Sequence, residues 1–310
     1  MDRRLFLKGA AGGLGALFLA KSGLLLAQDN GGGAAAAGPG KFMHPTLASN
    51  SSEKVGVRLL CLYDVSGSID STEHDVQLEV MADAIESEDF RNALFYTGGP
   101  QSLAICVADF GSFTDMRIGW MDVRKGEDDK LKLLAHEIRQ LKRREIGATN
   151  HATALEFAVT AYDNCPWAGK RSIVDILTDG ENNEGGNSAA RMILARETLA
   201  KKHEATINAL ITLDSDPNLE QWARENLATE SKYTKADGSF LDPGFVKIVA
   251  TQQVDHGAIV KYQDAMKMAF RRKLILEVAQ LELEDLHSIV KAEASTQGLS
   301  GSLPQMKPTV

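Results

Sequence analysis

From Val57 to Tyr63 every residue but Arg58 is apolar, and the run stops abruptly at Asp64. A run of that length and composition makes a strand buried on both faces, as in a parallel sheet. Three oxygen-bearing side chains follow at alternate positions, Asp64, Ser66 and Ser68, with Gly67 between the serines, where the chain is expected to turn. A second buried-strand pattern runs from Ile173, with Asp175 in its middle, and ends in Thr178-Asp179-Gly180. Two such strands, each delivering oxygens at its carboxyl end, imply an open α/β sheet, whose ligand crevice lies beyond those ends. One carboxylate with two hydroxyls offers hard donors suited to Mg²⁺, Mn²⁺ or Ca²⁺.

Between the two strands lies Gly147-Ala148-Thr149-Asn150, a glycine turn opening a helical stretch. With this third part the sequence resembles the von Willebrand factor A fold and its metal-ion-dependent adhesion site. Asp64, Ser66 and Ser68 match the first motif, Thr149 the lone threonine, and Asp179 the aspartate before glycine. The resemblance spans about Val55 to Leu276 and implies a doubly wound, mostly parallel sheet with helices on both faces. More narrowly, residues 175–183, Leu213 to Leu219 and Phe270-Arg-Arg-Lys-Leu274 resemble a bacterial family of exported A-domain-like proteins whose function is not established.

The resemblance implies that Ser66, Ser68 and Thr149 bind the cation directly and that Asp64 and Asp179 act through water. One position is left for an Asp or Glu of a protein partner. Gly67, Asp109, Asn150, Gly180, Glu181 and Asn182 form the expected rim. There Glu181 opposes an incoming acid or folds away, Asn182 and Asn183 orient water or cap the next helix, and Asp109 closes a neighbouring strand. The main alternative is a metal-dependent hydrolase or phosphoryl-transfer enzyme, and a third reading is a metal-free scaffold. Against catalysis, the only nearby candidate bases are His74 and His151, on helices where exposed histidines are common. An aspartyl phosphotransferase would want a second acid where Ser66 stands.

The amino terminus, Met1-Asp-Arg-Arg-Leu-Phe-Leu-Lys8, followed by a glycine-rich, mildly apolar run, resembles a twin-arginine export signal over residues 1–27 and implies a periplasmic location. The apolar run is too short and glycine-rich to span a bilayer well. Losing it would take the formal charge from -8 to about -11, and an acidic chain without a basic cluster is a poor partner for nucleic acid. Residues 28–54, rich in Gly, Ala and Ser, read as a flexible spacer. Of three cysteines, Cys61 and Cys106 sit in strand patterns as buried thiols, and Cys165 lies in a turn as a free one.

Asp70 with Glu73 forms a capping box for a helix carrying Val76, Val80, Met81, Ala84 and Ile85. Leu103–Phe110 and Met116–Val123, joined by a short link, predict a hairpin and hence the antiparallel edge strand. A charged helix is expected over Asp128–Arg144, with Lys142 to Arg144 as its solvated end. Further helices are expected from Thr149, from Asn187 or Ser188 to His203, and after Asp216-Pro217, with strands at Thr206–Leu213 and Phe245–Ala250. Asp175 is read as a buried carboxylate satisfied by neighbouring donors. Ala228 to Pro243 is expected to be an exposed loop. Ala258–Ala294 reads as unbroken helix, its portion 277–294 an extension beyond the domain, and Leu276, Ala279, Leu283, Leu286 and Val290 form a seam along it for packing or self-association. Residues 295–310 read as a loose tail.

Overall fold

The computed structural model describes residues 54–95, 99–144, 147–213, 218–250 and 259–279. The export signal, spacer, Asp216-Pro217, the seam beyond Ala279 and the carboxyl tail therefore lie outside the described residues.

The elements follow one another as β1 (Val55–Asp64), α1 (Ser71–Glu86), α2 (Glu88–Phe95), β2 (Ser102–Phe110), β3 (Thr114–Arg124), α3 (Asp128–Gln140), α4 (His151–Asp163), β4 (Gly169–Thr178), α5 (Ser188–His203), β5 (Ala205–Leu213), α6 (Leu219–Asn226), β6 (Val246–Ala250) and α7 (Ile259–Ala279). They build one six-stranded sheet in the order β3-β2-β1-β4-β5-β6. Every neighbouring pair is parallel except β2 and β3. The fold is the expected doubly wound α/β sheet, with its antiparallel strand at the edge. The strand order reverses direction between β1 and β4, the place where such sheets leave a crevice at their carboxyl ends.

Alternation along β1 sends Leu59, Cys61 and Tyr63 to the face covered by α1, α3 and α7, while Leu60 and Leu62 meet α4, α5 and α6. Burial on both faces explains why β1 reads as an unbroken apolar run instead of an alternating one. Cys106 packs with the second face, so the neighbouring thiols Cys61 and Cys106 point to opposite sides of the sheet, and all three cysteines are free.

Asp175 is the exception in this core. Its carboxylate is buried against α7, where Lys273 pairs with it and with Glu277 at 2.6 Å, and Asn208 donates to Glu277 at 2.9 Å. The expected buried carboxylate is thus found, with Lys273, nearly a hundred residues away, as the donor to its Oδ1, while its Oδ2 is buried without a hydrogen-bond partner among the described residues.

Several boundaries differ from expectation. Helix α2 is too short to show periodicity, yet it buries Phe90, Leu94 and Phe95. The charged helix ends at Gln140, because Leu141 turns to an extended backbone and the following residues bond elsewhere. Helix α6 starts after Asn218. The stretch after it is only partly exposed: Thr229 accepts the Ile207 N–H at 2.8 Å, and Tyr233 and Leu241 pack on Ala200. No described helix is long and apolar enough to cross a membrane.

Candidate metal centre

The site is assembled where β1 and β4 end side by side. Asp64, the last residue of β1, is fully buried; its Oδ1 accepts the Ser66 N–H at 2.8 Å and its Oδ2 the Thr178 hydroxyl at 2.7 Å. From there the loop climbs to the surface. The Ser66 and Ser68 hydroxyls lie 3.1 Å apart, Thr149 donates to Ser66 at 3.0 Å, and Ser68 donates to Asp179 at 3.0 Å. Thr149, Ser66, Ser68 and Asp179 therefore form one continuous chain of oxygens over the buried Asp64. Ser66 and Thr149 are buried and Ser68 is exposed, so the chain opens to solvent at one end. All five residues singled out as ligands are brought together.

Two helix starts frame the chain. Asp70 caps α1 by accepting from Thr72 and Glu73 at 2.7 and 2.9 Å, while Glu73 accepts the Asp70 N–H, completing the expected box. Thr149 stands one residue outside α4, whose cap is Asn150, accepting from Thr153 at 3.2 Å. Asn182 accepts the His151 N–H at 3.0 Å and donates to Ser188 at 2.9 Å, fastening the starts of α4 and α5 to the loop after β4. The left-handed turn is at Gly147, φ +73°, and not at Gly67. Gly67 instead donates its N–H to the Gly147 carbonyl at 2.8 Å. A methyl on Gly147 would lie 2.8 Å from Ser112 Oγ, which holds the Ala148 N–H at 2.9 Å. Gly180 leaves ordinary room beside Thr149, and Glu181 is half-buried.

Asp109 does not join this group. It is buried between Arg117 and Arg144, the latter at 2.9 Å, and Arg117 also donates to the Tyr63 hydroxyl. Lys142 and Arg144 are exposed as expected, but the run lies beyond the end of α3 and is tied to other elements. Arg117 donates to the Lys142 carbonyl at 2.9 Å, Arg144 reaches Asp115 at 2.9 Å, and Arg143 donates to the Ile69 carbonyl beside Ser68. The two histidines are buried, contrary to expectation. His74 packs on Tyr63, its Nδ1 3.5 Å from Asp75, and His151 sits between Phe110 and Trp222 with ring centroids 5.3 and 5.2 Å away. Burial pushes His151 down to about 3 and lowers His74.

The donor set fits a hard divalent cation. Burial, and then the nearby Asp179 charge, push Asp64 up to about 7, against the bonds from Ser66 and Thr178. Among the described residues no basic side chain pairs with Asp64. A buried carboxylate normally has a cation beside it. Oxygen is the only donor element in the chain, as Mg²⁺, Mn²⁺ and Ca²⁺ prefer. Among the described residues no three His, Cys, Asp or Glu gather around a point, so such an ion depends on the hydroxyls.

Comparison with solved structures returns von Willebrand factor A-type folds at low identity. The mussel byssus proximal thread matrix protein 1, described with a zinc-occupied MIDAS motif, is 18% identical, with TM-score 0.42 over 70% of this chain and 46% of that one. The von Willebrand factor type A protein of Catenulispora acidiphila is 15% identical, with TM-score 0.42 over 70% and 43%. BatB of Bacteroides thetaiotaomicron, a conserved hypothetical protein, is 12% identical, with TM-score 0.38 over 70% and 100%. The chain spans less than half the length of the first two. No curated protein sequence matches. A family model described as protein of unknown function (DUF1194) matches residues 54–282, from the start of β1 to beyond α7, and the chain belongs to that family.

Proposed function

We propose that this chain is an exported, divalent-metal-dependent protein-binding module of the adhesion type. One observation carries the reading: a fully buried strand-end carboxylate, Asp64, with no basic partner among the described residues, roofed by Ser66, Ser68, Thr149 and Asp179. Ser66, Ser68 and Thr149 would hold Mg²⁺ or Mn²⁺ directly, with Asp64 and Asp179 behind them. A cation held mostly by neutral hydroxyls keeps enough charge to accept an Asp or Glu from a partner. The exposed end at Ser68 is where that carboxylate would arrive.

Binding is favoured over hydrolysis because the two histidines near the motif are buried and packed on aromatic rings. The twin arginines at Arg3 and Arg4 support export to the periplasm, and the formal charge of -8 speaks against nucleic acid as partner.

The test is calorimetric titration of the metal-stripped protein with Mg²⁺ and Mn²⁺, beside Asp64→Ala and Asp179→Ala. Saturable binding lost in both variants is expected. No heat and no metal-induced rise in melting temperature would overturn the reading, and metal-dependent turnover of a generic phosphoester would replace it with the hydrolase.

A further inference from the structure

Thr149 and the serines Ser66 and Ser68 belong to chain segments more than eighty residues apart, on two loops that no secondary-structure element joins. In the described structure three bonds tie these loops to each other. Thr149 donates to Ser66 at 3.0 Å, Gly67 donates to the Gly147 carbonyl at 2.8 Å, and Arg143 donates to the Ile69 carbonyl. The first is a bond between two proposed ligands. It is the one that cannot be relied on when both oxygens turn their lone pairs to a cation. The loop register then rests on the other two.

Arg143 is well placed for this task because its neighbours in the chain are fixed on the other side. The Lys142 carbonyl is held by Arg117 at 2.9 Å, and Arg144 is held by Asp109 and Asp115, each at 2.9 Å. Asp109 is itself buried and also paired to Arg117, which anchors both arginines to the β2–β3 hairpin. Residues 142 and 144 are thus bound to the hairpin while 143, between them, reaches across to the loop that carries the serines. Ser112, at the tip of the same hairpin, holds the Ala148 N–H, one residue before Thr149. The hairpin is the common frame for both ends of the bracket.

We infer that Arg143 is a positioning residue for the metal centre, setting the separation of the Ser66–Ser68 loop from the Thr149 loop through the Ile69 carbonyl. The inference rests on the metal-binding reading above. It opposes simple electrostatics, since a guanidinium near the site repels a cation, and its removal on that ground alone would tighten metal binding. A positioning role gives the opposite sign. Groups that orient metal ligands without touching the ion typically contribute 10–100-fold to affinity.

The experiment is calorimetry of the full chain with Mn²⁺ for the wild type, Arg143→Ala, Arg143→Lys and a control, Arg139→Ala, with melting temperatures measured in chelator. Arg139 ties α3 to α1 through Glu79, Asp83 and Glu86 and touches no site residue, so it reports what loss of an equally engaged arginine does to the fold alone. Expected are a dissociation constant raised about 10-fold or more in Arg143→Ala, partial recovery in Arg143→Lys, which keeps charge and donor, and no change in Arg139→Ala. Affinity in Arg143→Ala equal to or tighter than wild type overturns the inference while leaving the metal reading intact. So does an equal loss in Arg139→Ala. A wild type that binds no metal overturns both.

Discussion

Replacing Glu277 with Gln isolates the charge balance of the buried cluster under α7. Two carboxylates, Asp175 and Glu277, share one ammonium, Lys273, and all three are buried with Asn208 as the additional donor. Burial first, and then the Asp175 charge, push Glu277 from its ordinary 4.5 up to about 8, with Lys273 and Asn208 pulling it back. At neutral pH the folded chain therefore keeps a proton on Glu277 that the unfolded chain has released. Folding that takes up a proton weakens as pH rises, so the contribution of Glu277 to stability falls from about pH 4.5 to about pH 8 and is flat beyond. One proton gives a limiting slope of about 1.4 kcal/mol per pH unit, hence on the order of 3 kcal/mol between pH 5.5 and 8. Glu277→Gln is neutral at every pH and loses this slope. Urea unfolding followed by tryptophan fluorescence, at half-unit steps of pH, should show the two proteins close at pH 5.5 and the variant more stable at pH 8. Parallel curves, with the difference independent of pH, would mean that Glu277 is ionised throughout, and the charge argument would fail.

Asp64→Asn should stabilise the metal-free protein at pH 8, by at most about 4 kcal/mol and less by whatever the amide loses as an acceptor for Ser66 or Thr178, because it removes a buried charge pushed up to about 7 by its surroundings; the same variant should gain nothing from Mg²⁺ or Mn²⁺, both read by unfolding in chelator and in excess metal. His151→Leu should flatten the acid limb of the stability profile. Burial holds the wild-type imidazole at about 3, so the unfolded chain alone takes the proton and stability is lost as pH falls from about 6.5 toward 3, a slope of about 1.4 kcal/mol per unit that the variant lacks. Gly147→Ala should cost about 1–2 kcal/mol and weaken metal binding together, since it places a methyl group on a left-handed backbone and against Ser112; unchanged melting temperature and affinity would refute the tight turn.

What was legible in the sequence is what is written in contiguous backbone. The apolar run of β1, its polar stop at Asp64, the Asp70–Glu73 box and the hairpin after Phe110 depend on neighbours in the chain, and each stands where the pattern puts it. The residues that misled are those whose partners come from elsewhere. Arg143 and Arg144 look like the basic end of a helix until Ile69, and Asp109 and Asp115, are brought beside them by the loop after β1 and by the hairpin. His74 and His151 look like surface residues on helices because Tyr63, Phe110 and Trp222, which cover them, lie on other elements. Local pattern carries no information about either environment.

Three aspartates, Asp64, Asp109 and Asp175, are buried at this sheet, and what each one meets sets Asp64 apart from the other two. Asp109 meets Arg117 and Arg144, and Asp175 meets Lys273; in both, a cationic side chain of the protein lies against the carboxylate. Asp64 is just as deeply buried, yet meets only the Ser66 N–H and the Thr178 hydroxyl, with Asp179 close enough to raise its proton affinity. Neutral donors offset part of the desolvation of a carboxylate but not its charge. The missing charge must come as a proton or as an ion from outside. A proton would use the buried carboxylate alone and give no reason for Thr149, Ser66, Ser68 and Asp179 to line up their oxygens above it, each within 3.1 Å of the next. A divalent cation would draw on all five residues, so it is the set, and not any single aspartate, that points to metal.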